Sequence, residues 1–125
     1  MLGDSTAMAC FSTDSVEKAR EFYGDTLGIA ISHMDSGSLV LDLANDSHVL
    51  IYEKDDHAAS NYTTLVLQVD DLRATVAALK ERGIEFADLP YTDADGIAVD
   101  EGMPPTAWFT DPAGNWIAIG EMPPM

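Results

Sequence analysis

Cysteine is nearly missing from this chain of 125 residues, where Cys10 stands alone. A single thiol cannot close an internal disulfide, and it excludes the usual Cys-rich zinc frameworks. Bases are scarce as well: six Lys and Arg face 22 Asp and Glu, a formal net charge of −16. Such a surface repels nucleic-acid phosphates and anionic membrane surfaces, both of which bind through Lys and Arg. No nucleic-acid partner and no membrane partner is therefore expected. No apolar run approaches the roughly 20 residues of a bilayer-spanning helix. The start, Met1-Leu2-Gly3-Asp4-Ser5, lacks the basic and apolar stretches of a secretory signal, so a cytoplasmic protein is expected. Histidine is limited to His33, His48 and His57, whose spacing matches no local metal-ligand motif.

What is present is a hydrophobic fraction of 46%, enough to close a core. The length suits one domain or two small fused modules. Five of the six bases, Lys18, Arg20, Arg73, Lys80 and Arg82, fall in two segments that read as helices, and from Gly83 onward there are eight acids and no base. The acidity has two readings: solubility or a salty habitat, or a site that attracts a cationic ligand.

The chain reads as one unit used twice. Phe11-Ser12-Thr13-Asp14-Ser15-Val16 matches Leu67-Gln68-Val69-Asp70-Asp71-Leu72 at an offset of 56. Each hexamer closes an apolar run and opens a helical pattern, which ends at Gly28 and at Gly83, residues suited to the left-handed position after a helix. Asp14 and Glu17 have the spacing of a capping box. Strands are expected at about 6–12, 29–34, 38–43 and 48–53 in the first copy. In the second they are expected at about 63–69, 84–88, 105–110 and 116–121. His48–Glu53 maps onto Trp116–Glu121 as the last strand of each copy, and Glu53 and Glu121 read as strand-end carboxylates facing water. Asp111-Pro112-Ala113-Gly114-Asn115 is a turn signal. The second copy alone carries a long connection, about 89–104, with Tyr91, Asp93, Asp95, Asp100 and Glu101. It reads either as a lid over a site or as an acidic surface loop with a short extra strand at 97–99.

A tandem βαβββ repeat carrying Glu17–Gly28, Val69-Asp70-Asp71-Leu72 and Phe109–Asn115 resembles the vicinal oxygen chelate superfamily. That group contains glyoxalase I, fosfomycin-resistance thiol transferases, extradiol dioxygenases and bleomycin-resistance proteins. The resemblance implies an α+β fold in which tandem βαβββ modules form a curved mixed sheet in a single domain. Module one would span about 5–54, a linker about 55–61 and module two about 62–121. The family's enzymes hold a divalent metal on side chains of the first and last strand of each module. The matching positions here are Met8, Leu50, Thr64 and Ala118, none of which offers the imidazole or carboxylate that such ions require. No metal and no other cofactor is expected.

By strand parity the cavity face implied by that fold holds Met8, Cys10, Leu50, Tyr52, Thr64, Val66, Gln68 and Ala118. Trp108 or Phe109 joins from the seventh strand, and Trp108 enters the candidate set. The alternatives are an apolar ligand pocket with a few hydrogen-bonding tips, or side chains that fill space as core. Cys10 has no neighbouring base or helix N-terminus in sequence, which favours a small buried hydrophobe over a nucleophile. Two functions follow. One is a metal-free binder of the bleomycin-resistance kind for a small molecule, the charge favouring a cationic one. The other is an enzyme of lyase, thiol-transferase or dioxygenase type that works with a displaced metal or none. The resemblance also implies a homodimer, whose modules pair within one chain or across two.

Overall fold

The computed structural model describes residues 1–100 and 102–121, so Glu101 of the acidic loop lies outside the described residues. The chain divides into two compact units between Ala58 and Ala59, each built on a mixed four-stranded sheet.

In the first unit β1 (Ala9–Thr13) leads into α1 (Val16–Arg20), which runs on as a π-helical segment at Glu21–Thr26. β2 (Ala30–His33), β3 (Leu39–Asp42) and β4 (His48–Glu53) follow, and the sheet order is β1-β4-β3-β2. The first and last strands pair in parallel, the others antiparallel. Alternation sorts the side chains cleanly. Phe11, Leu39, Leu41, Val49 and Ile51 are buried on one face together with Ala19 and Tyr23 of the helical segments. The other face stays more open. Ser15, rather than Asp14, caps α1: its hydroxyl accepts the Lys18 N–H at 3.3 Å, so the expected Asp14–Glu17 box does not form.

The second unit repeats the plan with β5 (Thr63–Val69), α2 (Leu72–Glu81), β6 (Ile97–Asp100), β7 (Met103–Thr110) and β8 (Trp116–Glu121), in the order β5-β8-β7-β6. Asp71 caps α2, accepting the Ala74 N–H at 3.1 Å. Leu72, Val76 and Leu79 form the buried stripe of α2, which packs on β7 and β8, where Phe109, Ile117 and Ile119 are buried as well. Past the helix, Gly83 takes φ 92°, and the N–H groups of Gly83 and Ile84 return to the carbonyls of Lys80 and Leu79. That is the hydrogen-bond pattern of a glycine-terminated helix, closed by the buried pair Leu79 and Ile84.

The strand expected at 84–88 is not formed. The alternation of Ile84 and Phe86 comes from packing: Ile84 is buried, and the Phe86 ring meets Phe109 edge-on at 5.6 Å. Ala87 donates its N–H to the Trp108 carbonyl of β7 at 2.8 Å. The outer place beside β7 goes to Ile97–Asp100, a short strand inside the long connection.

The turn before β8 is built on a buried carboxylate. Asp111 is 5% exposed and accepts the N–H groups of Ala113 and Asn115 and the Asn115 side-chain amide at 2.8–3.1 Å. Hydrogen bonds to a charged acceptor contribute about 1.5–3 kcal/mol each, which explains an ionisable group in that place. Gly114 sits at φ 82° with an added Cβ only 2.6 Å from Ala59, so no other residue fits there without displacement.

Candidate functional site

Each sheet has one face against its helix and one open face, and the candidate residues lie on the open faces. In the first unit the parallel register sets Cys10 opposite Leu50 and Ser12 opposite Tyr52, and β3 adds Val40 opposite Leu50. Met8, just before β1, is 51% exposed, and Tyr52 is 37% exposed. Cys10 is a free, exposed thiol rather than the buried hydrophobe expected, because the core face of β1 belongs to Phe11 and Thr13.

A pair that spacing did not suggest lies beside them. His57, from the segment after β4, places Nδ1 2.7 Å from the Ser12 hydroxyl, so an imidazole reaches the edge of the face that carries Cys10 and Tyr52. Sequence reasoning left this face without a base because His57 lies in the linker, off both strands. Of the other histidines, His48 pairs with Asp42 at 3.0 Å at the start of β4, and His33 is exposed at the end of β2.

In the second unit the register places Val66 opposite Ala118 and Gln68 opposite Gly120, with Trp108 on the other side of Ala118. The choice left open on the seventh strand is thereby made. Trp108 stands on the open face, and Phe109, 1% exposed, stands in the core. Val66 is 54% exposed, while Ala118 is buried between its strand neighbours. Thr64 sits at a register shift in β5, and its hydroxyl donates to the Trp116 carbonyl at 3.0 Å.

Two acids of the long connection, Asp93 and Asp95, are held on α2 instead of over this face. Arg73 of α2 binds Asp93 and Asp95 through separate guanidinium nitrogens at 3.0 and 3.1 Å, and Lys80 stands 3.7 Å from Asp95. These acids are therefore tied to the helix side of the sheet. The Ile97 backbone N–H, then the Arg73 guanidinium, hold the Asp93 carboxyl below its ordinary value. A shallow cleft of about 230 Å³ lies there, lined by Lys80, Phe86, Asp88, Asp93 and Asp95 among others. Tyr91 goes the other way, its ring edge-on to Trp108 at 5.7 Å.

The strand-end carboxylates have structural work. Glu53 accepts the Val16 N–H at 3.0 Å, and Glu121 accepts the Leu72 N–H at 3.1 Å. Each closes the last strand of its unit onto the first turn of that unit's helix. Glu53 is exposed and Glu121 half-buried, and each has a backbone partner because the parallel register sets Thr13 beside Glu53 and Val69 beside Glu121 at the strand–helix junction.

The four residues expected from the resemblance at metal positions, Met8, Leu50, Thr64 and Ala118, do not have the chemistry that a divalent ion requires. Met8 offers a thioether, Leu50 and Ala118 only carbon, and the single hydroxyl, that of Thr64, already donates to a backbone carbonyl. Among the described residues no group of three or more His, Cys, Asp or Glu is placed to hold a metal. Nor is any of their helices long and apolar enough to cross a membrane.

Residues 6–119 match the sequence profile of the Glyoxalase/Bleomycin resistance protein/Dioxygenase superfamily. No curated protein sequence matches the chain significantly. Among solved structures, an antibiotic-binding protein from Streptomyces sp. CB03234 is similar at a TM-score of 0.70 and 24% identity, over 96% of this chain and 98% of that one. A glyoxalase/bleomycin resistance protein from Catenulispora acidiphila has a TM-score of 0.69 and 27% identity over 94% and 98%. A genomically encoded fosfomycin resistance protein from Listeria monocytogenes reaches 0.71 at 11% identity over 96% and 94%.

Proposed function

The chain belongs to the Glyoxalase/Bleomycin resistance protein/Dioxygenase superfamily, and on that premise we propose that it binds a small molecule without a divalent metal. The observation that carries this reading is the chemistry at the four metal positions, Met8, Leu50, Thr64 and Ala118, where no imidazole or carboxylate stands. The open faces present apolar side chains with a few polar tips, the usual lining of small-molecule sites. Met8, Cys10, Leu50 and Tyr52 form one such surface, and Thr64, Val66, Gln68, Trp108 and Ala118 the other. A net charge of −16 would draw in a cationic ligand over long range, and added salt would weaken that pull. The likeness to an antibiotic-binding protein points the same way. A homodimer belongs to this reading, since β1 and β5 are edge strands of their own sheets and such edges are usually covered.

The test is metal content after incubation of untagged protein with nickel, cobalt, manganese, zinc or iron, followed by desalting. Retention of less than about a tenth of an equivalent is expected, since tight binding needs a complete ligand set. One firmly held equivalent overturns the metal-free reading. In parallel, titration with a cationic glycopeptide is expected to saturate, with affinity falling as salt rises.

The hydrogen bond between Ser12 and His57 favours a second reading, an enzyme acting without the usual ligands. It supplies an imidazole near Cys10 and Tyr52, as general acid–base chemistry requires. Turnover of a thiol adduct that disappears in both Cys10→Ala and His57→Ala would establish it.

A further inference from the structure

The connection between α2 and β6 joins two features on opposite sides of one sheet. Its acids are held by Arg73 on the helix side, and two residues earlier its Tyr91 lies on Trp108 at the open face. The segment is stiff between these points. Thr92 closes a turn onto Leu89, its N–H and hydroxyl donating to the Leu89 carbonyl while the hydroxyl accepts the Leu89 N–H. Asp93 closes the next turn, its Oδ1 accepting the N–H groups of Asp95 and Ile97. Thr92 also bridges to Ala98 of β6. Gly96 completes the turn at φ 86°, where an added Cβ would lie 2.9 Å from that of Phe86. The backbone that carries Tyr91 is thereby tied on its C-terminal side to the Asp93 turn.

We infer that Arg73 is a positioning residue for the open face of the second sheet: by gripping Asp93 and Asp95 together, it holds Tyr91 against Trp108. The guanidinium suits this role because its planar fork reaches two carboxylates at once, which an ammonium does less well. The ligand class that such a fixed aromatic corner takes is a planar cation, attracted by aromatic ring faces. The inference rests on the ligand-binding reading only for that last step.

Near-ultraviolet circular dichroism of the full chain tests the positioning. The difference between wild type and Trp108→Phe isolates the Trp108 band, and Tyr91→Leu defines the band without its partner. Arg73→Gln is expected to reproduce the Tyr91→Leu change, and Arg73→Lys to recover part of the wild-type band. If Arg73→Gln keeps the wild-type band while Tyr91→Leu alters it, the inference is overturned. Ethidium, a planar cation, reads the functional step: Arg73→Gln is expected to weaken its binding about tenfold, the size of one lost aromatic contact. Equal ethidium affinity in wild type and Arg73→Gln overturns the functional step. Failure of ethidium to bind either protein counts against the ligand reading, while the Trp108 band still decides the positioning role by itself.

Discussion

Two glutamates do the same job in two places, and their surroundings set how much each contributes. Glu121 is half-buried where it accepts the first helical N–H of α2, and Glu53 is exposed where it does so for α1. Losing such an acceptor at a helix start costs about 1 kcal/mol, with the favourable charge at the positive helix end a part of it. Glu121→Ala is therefore expected to lower stability by about 1 kcal/mol in urea denaturation, Glu121→Gln by less, and Glu53→Ala by less than Glu121→Ala. Their shared role was legible only halfway, since the repeat aligned them but nothing local shows that a first and a last strand lie side by side. Cys10 shows the same limit. Parity placed it on the face of Met8, but burial depends on what covers that face, and this a periodicity does not contain.

At the scale of elements, strands with clean alternation and a flanking turn were legible to the residue: His48–Glu53, Thr63–Val69 and Trp116–Glu121 all stand where the pattern put them. The reading failed at 84–88 because alternation records which side chains are buried, not which backbone groups pair. Ile84 and Phe86 are drawn inward by closing α2 and packing on Phe109. The ladder position went to Ile97–Asp100, a segment of weaker pattern but with Gly96 and the Asp93 turn to aim it. That turn has a pH dependence whose sign follows from the lowered Asp93 carboxyl. A group with a depressed folded value stabilises above its unfolded value and loses that contribution as pH falls through the folded one. The groups around it are Arg73, Lys80, Asp95 and Asp88. Asp93→Asn is thus expected to be less stable than wild type at neutral pH. The gap should narrow with acidification below the usual carboxylate range, as read by denaturation midpoints at stepped pH; a constant gap would mean that the Asp93 charge is not involved.

For the whole molecule, charge decides the response to salt. Four ion pairs join Lys or Arg side chains to acids among the described residues, and all are solvent-exposed, so each contributes little. Against them stands the mutual repulsion of 22 acids with six bases. Raising ionic strength from 0.01 to 0.15 M shortens the screening length from about 30 to about 8 Å, which weakens the repulsion over most of the surface. Thermal midpoints are expected to rise over this range; a fall would mean that the ion pairs outweigh the repulsion. The sheet order has a consequence of another kind. In both units the first strand pairs, within its own sheet, only with the last. On the ribosome, then, β1 has no ladder in that sheet until β4 has emerged, and β5 must wait for β8. Each helix likewise waits for the carboxylate that arrives with the final residue of its unit's last strand. Until its last strand has emerged, a nascent module therefore lacks the partner of its first strand and the acceptor at its helix start.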